Sequence, residues 1–391
     1  MKEKTRLTPI SRWSTKTKTI SKRLIFNEDL ALNFGVRRDS GLFILLRTVY
    51  FGEPLSNTQY VTHMIILGIE SSCDETAAAV YTSDGLKSNV IASQTVHEQY
   101  GGVVPELASR AHHKTIWRTV QQALDEADIS LDEIEAVAVT RGPGLMGALL
   151  VGLCFSKGLA LARGMRLIGV NHMDAHIYAN FIEQKPKYPF VALTVSGGHT
   201  HLVHVTAPFE HRMLGKTRDD AAGEAFDKIG KILGLPYPAG PVIDEKAKEG
   251  DPSFHDFPQA MLDGGLEFSF SGLKTSVLYY LQEKDDRFVN EHLNDICASV
   301  SHAITEVLVK KLSRAVEATG VKTVLLAGGV SANSMLREKT GHLAREKELN
   351  IHIPRIEYCT DNAAMIAITG AMLAERGKFS DMNLKPFAQL R

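Results

Sequence analysis

Ile65-Ile66-Leu67-Gly68-Ile69-Glu70, directly after Met64 and followed by Ser71-Ser72-Cys73-Asp74-Glu75-Thr76, is a compact apolar run ending in polar residues. A short apolar run with such an edge reads as a buried strand. Working outward, a second strand is expected over about Thr76 to Tyr81, with Ser83-Asp84-Gly85 as a hairpin turn. A third strand follows over about Asn89 to Thr95. Pro105 to Asp128 then shows helical spacing, with Leu107, Ala111, Val120 and Leu124 on its apolar side. Ile134 to Thr140 reads as a buried strand, Leu145 to Arg163 as a small-residue helix, and Arg166 to Val170 as another strand. The order is β-β-β-α-β-α.

That order recurs. Phe190 to Val195, His201 to Thr206 and a segment near Met213 make three more strands, followed by helices around Gly223 to Leu233 and Glu291 to Thr319. Thr323 to Ala327 is a buried strand, Asn333 to Lys347 a helix, and Asn362 to Arg376 a last helix. Two βββαβα halves with a cleft between them describe an α/β protein with the duplicated ribonuclease-H-like fold of actin, Hsp70 and the sugar kinases. The lobes are expected at 64–190 plus about 362–391, and at 191–361. Fold alone fixes no function.

The 391 residues suffice for two lobes with real cores. Hydrophobic residues at 44% and charged residues at 23% are ordinary for a soluble globular protein. The longest apolar run noted, Leu42 to Leu46, is far short of the roughly 18 residues a membrane span needs, so no membrane association is expected. Cys73, Cys154, Cys297 and Cys359 form no C-x-x-C pair, which fits a reducing cytoplasm better than a disulfide framework. Net charge is −1, but residues 1–63 hold 11 basic and 5 acidic residues and residues 64–391 hold 33 and 40. A basic head without period 2 or 3.6 on an acidic body is the pattern of an appended segment. A transit peptide, a disordered arm and a mis-called start before Met64 compete, and scattered Glu28, Asp29, Asp39 and Glu53 weigh against the first. Met64 as the natural start is favoured.

Chemistry gathers at a few places. His172 and His176 are four residues apart, which puts both imidazoles on one helix face, able to share a metal or simply to sit side by side on a surface. The spacing tempts a metalloprotease reading, but H-E-x-x-H needs Glu after the first His, where Met173 stands. Val195-Ser196-Gly197-Gly198-His199-Thr200 lies between two strands, and its glycines let backbone N–H groups approach a phosphate. Leu326 to Asn333 and Arg141-Gly142-Pro143-Gly144-Leu145 are strand-to-helix turns. Any one could be only a tight turn; three together favour a nucleotide cleft. Acidic residues sit beside them: Glu70, Asp74 and Glu75, then Asp219, Asp220, Glu224 and Asp227. Asp361 is open to a bland reading as a helix cap.

Several of these motifs carry a resemblance. Gly68 to Thr76, Tyr100 to Arg110, Gly142 to Leu145, Val195 to Thr200, Asp219 to Lys228, Phe268 to Lys274, Ala327 to Asn333 and Cys359 to Asn362 closely resemble, in order, the bacterial tRNA N6-adenosine threonylcarbamoyltransferase family, TsaD-type, once called glycoprotease or O-sialoglycoprotein endopeptidase. The resemblance covers nearly all of 64–391 and none of 1–63. It implies transfer of threonylcarbamoyl from threonylcarbamoyl-AMP to the N6 amine of an adenosine beside the tRNA anticodon. It implies metal ligands at His172, His176 and Asp361 for one divalent ion per subunit, Fe(II) ahead of Zn(II). It implies substrate contacts at Thr194, Val195, Ser196, Gly197, Gly198, Asp227, Gly240, Asp244 and Asn333. Asn171, where relatives often carry another His, and Thr194, where many have a bulky aliphatic residue, depart from the pattern.

On this reading Gly197 and Gly198 hold the phosphate side of the donor and the Gly328 to Asn333 turn its ribose or base. Asp74 and Glu75 reach the cleft as catalytic or positioning carboxylates. The net acidic body is unusual for a tRNA binder. The resemblance supplies partners, a same-fold TsaB-type subunit and a small TsaE-type P-loop ATPase, with which tRNA could be gripped jointly. A small-molecule kinase of this fold would need a glycine-rich first hairpin, which Ser71 to Thr76 lacks. A non-catalytic scaffold should lack the His172, His176 and Asp361 set.

Overall fold

The computed structural model describes residues 64–389. The basic extension expected at 1–63 lies outside the described residues. The first sheet holds β1 (Ile66–Glu70), β2 (Glu75–Thr82), β3 (Gly85–Ser93), β4 (Ala136–Gly142) and β5 (Arg166–Asn171), in the order β3-β2-β1-β4-β5. The second holds β6 (Phe190–Val195), β7 (Thr200–Ala207), β8 (Glu210–Lys216), β9 (Thr323–Ala327) and β10 (Asn350–His352), in the order β10-β9-β6-β7-β8. Strand for strand the two orders coincide. In each, the first three strands form an antiparallel meander, the fourth runs parallel to the first and the fifth parallel to the fourth. This is the duplicated ribonuclease-H-like fold, two lobes with a central cleft.

The first lobe carries α1 (Pro105–Ala127), α2 (Met146–Arg163) and α3 (His172–Tyr178). The second carries α4 (Ala222–Ile232), α5 (Ala239–Ala247), α6 (Ser271–Gln282), α7 (Asp286–Glu291), α8 (Leu293–Thr319) and α9 (Ser334–Glu346). α10 (Ala363–Ala374) returns to the first sheet. β1 explains why its sequence is a run and not an alternation. Ile66 packs with Ala77, Ala138 and the α10 residues Ala363 to Ala367 on one face. Leu67 and Ile69 pack with Ile116 and Val120 of α1 and Leu153 of α2 on the other. A strand covered on both faces is apolar along nearly its whole length, here up to Glu70 at its end.

Gly68 sets how closely α10 approaches. A Cβ there would lie 2.6 Å from the Ala363 carbonyl oxygen and 2.8 Å from the Ala367 backbone nitrogen. Backbone cannot yield as a flexible side chain can, so Gly68→Ala should lower stability by about 2–3 kcal/mol. The urea midpoint checks this; an unchanged midpoint would mean the contact relaxes freely.

One sequence expectation needs correction. α2 has the length and apolarity of a membrane-spanning helix, at a mean hydropathy of 1.4, although no apolar run of that size was expected. Interspersed Gly, Ser156 and Lys157 break the run, while the Leu, Val, Phe and Ala residues around them keep the average high. Ala148, Leu149, Gly152, Leu153, Ser156 and Ala160 form its buried face, and the Lys157 ammonium donates to the Leu384 carbonyl at 2.6 Å.

Candidate functional site

α3 starts where β5 ends. Asn171 turns the chain, its side-chain oxygen accepting from the backbone N–H of Met173 and Asp174 at 2.9 and 3.3 Å. That cap satisfies N–H groups with no partner inside the helix. It also gives the departure at Asn171 a structural role. His172 and His176 then stand one turn apart, their rings edge to face at 4.6 Å between centroids, both buried.

Asp361 reaches them from the far end of the chain. Asn362, not Asp361, caps α10, accepting from the Met365 N–H at 2.9 Å and donating to the carbonyls of Tyr358 and Thr360. Asp361 is therefore free to point inward. Its Oδ1 lies 3.4 Å from His172 Nε2 and 3.1 Å from His176 Nε2. Candidate ligand atoms of the three residues all lie within 4.8 Å of one another. Among the described residues neither ring nitrogen of His176 finds a hydrogen-bond partner, despite the nearby carboxylate. A buried polar atom without a partner costs free energy, and two imidazoles with a carboxylate converging on one point are a donor set for a divalent transition metal. Burial opposes charge on Asp361, but His172 and His176 outweigh it and hold the carboxyl well below the usual carboxylate range. Burial likewise opposes charge on His172, yet Asp361 and Glu70 on either side push its imidazole well above its usual value.

The loop after β1 forms the neighbouring wall. His112 of α1 is fully buried and ties it down, its Nδ1 2.7 Å from the Thr76 hydroxyl and its Nε2 2.9 Å from the Cys73 carbonyl oxygen. Burial pushes this imidazole down, in keeping with a neutral ring that donates from one nitrogen and accepts at the other. Glu70, Asp74, Glu75 and Asp361 crowd the same region. Burial, then Asp361 and Asp74, push the Glu75 carboxyl up to about 10. Burial and the neighbouring carboxylates thus both oppose ionisation of Glu75. Across the cleft, Asp227 is raised by burial, opposed by the N–H groups of Ala239 and Gly240, and it feels Asp74. Tyr237 is raised by burial and then by Asp74 and Asp227.

The folded Glu75 keeps a proton that the unfolded chain, with a carboxyl near 4.3, gives up. Its contribution to stability is therefore full below about pH 4 and lost as pH rises toward about 10. Glu75→Gln should remove that slope. In thermal melts with a chelator present, the melting temperature of the variant should gain on wild type steadily from pH 6 to pH 9. Parallel pH profiles would contradict this.

The glycine turn after β6 opens beside the histidines. The His199 imidazole is pushed down to about 4 by burial, then by His201, His172 and His176. Gly197 and Gly198 are exposed, and a Cβ on either would meet nothing within 4 Å. Gly223 at the start of α4 presses on Ser196 and Gly197, and Gly328 (φ +83°) on Val195, so this backbone is held from two sides. The Thr194 hydroxyl is buried without a partner among the described residues. Asp227 accepts from the Ala239 N–H at 2.8 Å. Asn333 and Asp244 hold the start of α9. Asn333 accepts from the Leu336 N–H at 2.9 Å, and Asp244 accepts from the Ser334 N–H and hydroxyl at 2.9 and 2.8 Å. Asp219 similarly holds the start of α6 through Ser269, Phe270 and Ser271. Ser72, His112 and Tyr237 join the cleft unannounced by spacing, since only the folded sheet order brings them there.

A family model described as TsaD: tRNA N6-adenosine threonylcarbamoyltransferase matches residues 85–368. The tRNA N6-adenosine threonylcarbamoyltransferase of Salinibacter ruber is 53% identical over 335 residues, covering 84% of this chain and 100% of the relative. The protein of the same description from Riemerella anatipestifer is 52% identical over 326 residues, covering 82% of this chain and 95% of the relative. Among solved structures, full-length HypF in its phosphate- and nucleotide-bound form matches with a TM-score of 0.53 at 12% identity, over 80% of this chain and 55% of its own, a likeness of fold alone. A family model matching most of the chain, and relatives half identical to it over nearly their whole length, establish that this chain belongs to the TsaD family of tRNA N6-adenosine threonylcarbamoyltransferases.

Proposed function

We propose that this chain carries out its family's transfer with threonylcarbamoyl-AMP as donor and with a metal centre at His172, His176 and Asp361. The transfer forms threonylcarbamoyladenosine in tRNA, and the accepting adenosine on this reading adjoins the anticodon. The N6 amine attacks the carbamoyl carbonyl, a new C–N bond forms, the C–O bond to phosphate breaks, the amine loses a proton and AMP leaves. The donor is a mixed anhydride and already activated, so the protein's task is to position it and stabilise developing charge. A divalent ion, Fe(II) ahead of Zn(II), would be held by His172, His176 and Asp361 and would supply Lewis-acid polarisation and a template. The observation that carries this reading is the convergence of those groups with both His176 nitrogens unpaired.

The chain's own residues divide the remaining work. The exposed Gly197 and Gly198 backbone offers N–H groups to the donor phosphate, and the turn from Gly328 to Asn333 accommodates its ribose or base. Burial opposes charge on Glu75, which lessens its repulsion of the donor phosphate. Asp74 is the carboxylate left to orient or accept from the attacking amine. The partners on this reading are tRNA, a same-fold TsaB-type subunit and a TsaE-type P-loop ATPase, in the cytoplasm. The test supplies tRNA, threonylcarbamoyl-AMP and both partners to the metal-loaded chain and analyses tRNA nucleosides. Threonylcarbamoyladenosine at the adenosine beside the anticodon is the expected product. Its absence under these conditions would overturn the reading.

A further inference from the structure

Glu70 is the last residue of β1, and its side chain is fully buried. Parallel pairing of β1 with β4 sets Ile69 beside Val139, which brings Thr140 level with Glu70. The Thr140 hydroxyl donates to Glu70 Oε2 at 2.7 Å, and the Ser72 backbone N–H donates to Oε1. The same Oε2 lies 3.1 Å from His172 Nδ1, with the Ser72 hydroxyl 3.2 Å from that nitrogen. His172 Nε2, on the other edge of the ring, faces Asp361. An ionised carboxylate only accepts hydrogen bonds. The Ser72 N–H and the Thr140 hydroxyl already donate to Glu70, so the third neighbour is satisfied only if it donates as well.

The geometry points to Glu70 as the positioning residue of the metal centre: it holds the proton of His172 on Nδ1, which leaves the Nε2 lone pair aimed at the point shared with His176 and Asp361. This rests on the metal reading above and deepens it. If Nδ1 carried the lone pair instead, it would face an anionic oxygen at 3.1 Å, and the ring would present an N–H to the carboxylate and the ion. The burial of Glu70 makes that choice strong, because water cannot screen it. Hydrogen bonds from such outer groups fix ring orientation and basicity, and losing one typically costs about tenfold to a hundredfold in metal affinity.

Glu70→Gln is nearly the same shape and separates the alternatives. With its oxygen at the Oε1 position, the Gln amide turns an N–H toward His172 Nδ1 and favours the wrong tautomer. With the amide reversed, it opposes the Ser72 N–H. Either way the metal site weakens while volume is kept. The experiment measures Zn(II) affinity by chelator competition in the full chain for wild type, Glu70→Gln and His172→Ala. Loss of affinity in His172→Ala with a tenfold to hundredfold loss in Glu70→Gln supports the inference. Loss in His172→Ala alone, with Glu70→Gln equal to wild type, overturns Glu70 but leaves the metal reading intact. Equal affinity in all three overturns the metal reading itself. Wild type supplies a second measurement that needs no variant to fold. In the Zn(II)-loaded, 15N-histidine-labelled protein, the His172 resonance, assigned by its loss in His172→Ala, should show a proton on Nδ1 and none on Nε2. A proton on Nε2 would overturn the inference.

Discussion

His176→Ala abolishes threonylcarbamoyl transfer and shifts the melting temperature by less than about 5 °C. Both halves follow from one observation, that the buried His176 ring has no hydrogen-bond partner at either nitrogen. Such a ring contributes packing and an electrostatic contact with Asp361, so its removal costs the fold about 1–2 kcal/mol, a few degrees in a chain of this size. Its cost to the reaction is of a different order. Charge stabilisation supplied through a divalent ion amounts to several kcal/mol, and each 1.36 kcal/mol is tenfold in rate, so activity should fall by about a thousandfold or more. Asp361→Asn should behave in the same way. It keeps the volume of the carboxylate whose Oδ1 sits 3.1 Å from His176 and 3.4 Å from His172, but not its charge. Nucleoside analysis of tRNA, with melting curves and metal content of the same preparations, checks this. A variant that retains a tenth of wild-type activity would place the chemistry elsewhere in the cleft.

How far the sequence alone leads to this site depends on the kind of contact involved. Helical spacing made the His172 and His176 pair visible, because four residues are one turn on any helix. Asp361 was not visible in that way. Beside Thr360 and Asn362 it reads equally well as a cap, and only the resemblance singled it out. The structure resolves this by giving the cap to Asn362. Glu70 stood in view as an acidic residue after a strand. Its burial, and its bond to His172, depend on β4 lying next to β1, which no local pattern encodes.

The same distinction runs through the fold. β9 at Thr323–Ala327 and β6 at Phe190–Val195 coincide with their apolar runs, since both are covered on two faces. β3 begins at Gly85, four residues before the expected strand, because a two-residue turn at Ser83 and Asp84 suffices and leaves Gly85 to pair. α5 and α6 were not expected. Pro238, Gly240 and Pro241 at the start of one, and Ser271-Gly272 in the other, carry turn chemistry. Side chains distant in sequence, Asp219 for α6 and Asp244 for α9, hold helix N-termini that local propensity would not mark. Asp244 and Asn333 thus support the cleft wall through α9.

The largest loss of stability outside the cleft is expected at Lys311, a buried lysine of α8. Among the described residues no acidic side chain pairs with it. Its ammonium donates instead to three backbone carbonyls of one loop, those of Met261, Gly264 and Gly265. Met261 and Gly265 both take left-handed backbone conformations, φ +58° and +50°. Such a loop turns its carbonyls inward, and something must satisfy them. The ammonium has three donors for three acceptors and fills the site completely. Lys311→Met keeps the length of the stem but leaves the carbonyls unpaired and buried. At about 1–3 kcal/mol for each unsatisfied group, with partial relaxation, the net loss should be about 3–5 kcal/mol. The loop leads into Phe268 and Phe270, which pack in the second-lobe core, and into the Asp219 cap of α6. Its loosening should therefore expose that lobe first. Urea denaturation should show a lower midpoint for Lys311→Met, with amides of residues 261–271 exchanging faster than those of β1. Lys311→Arg should recover only part of the loss, because a planar guanidinium cannot aim three donors into the pocket of a point charge. An unchanged midpoint in Lys311→Met would mean that water takes over the three carbonyls at no cost.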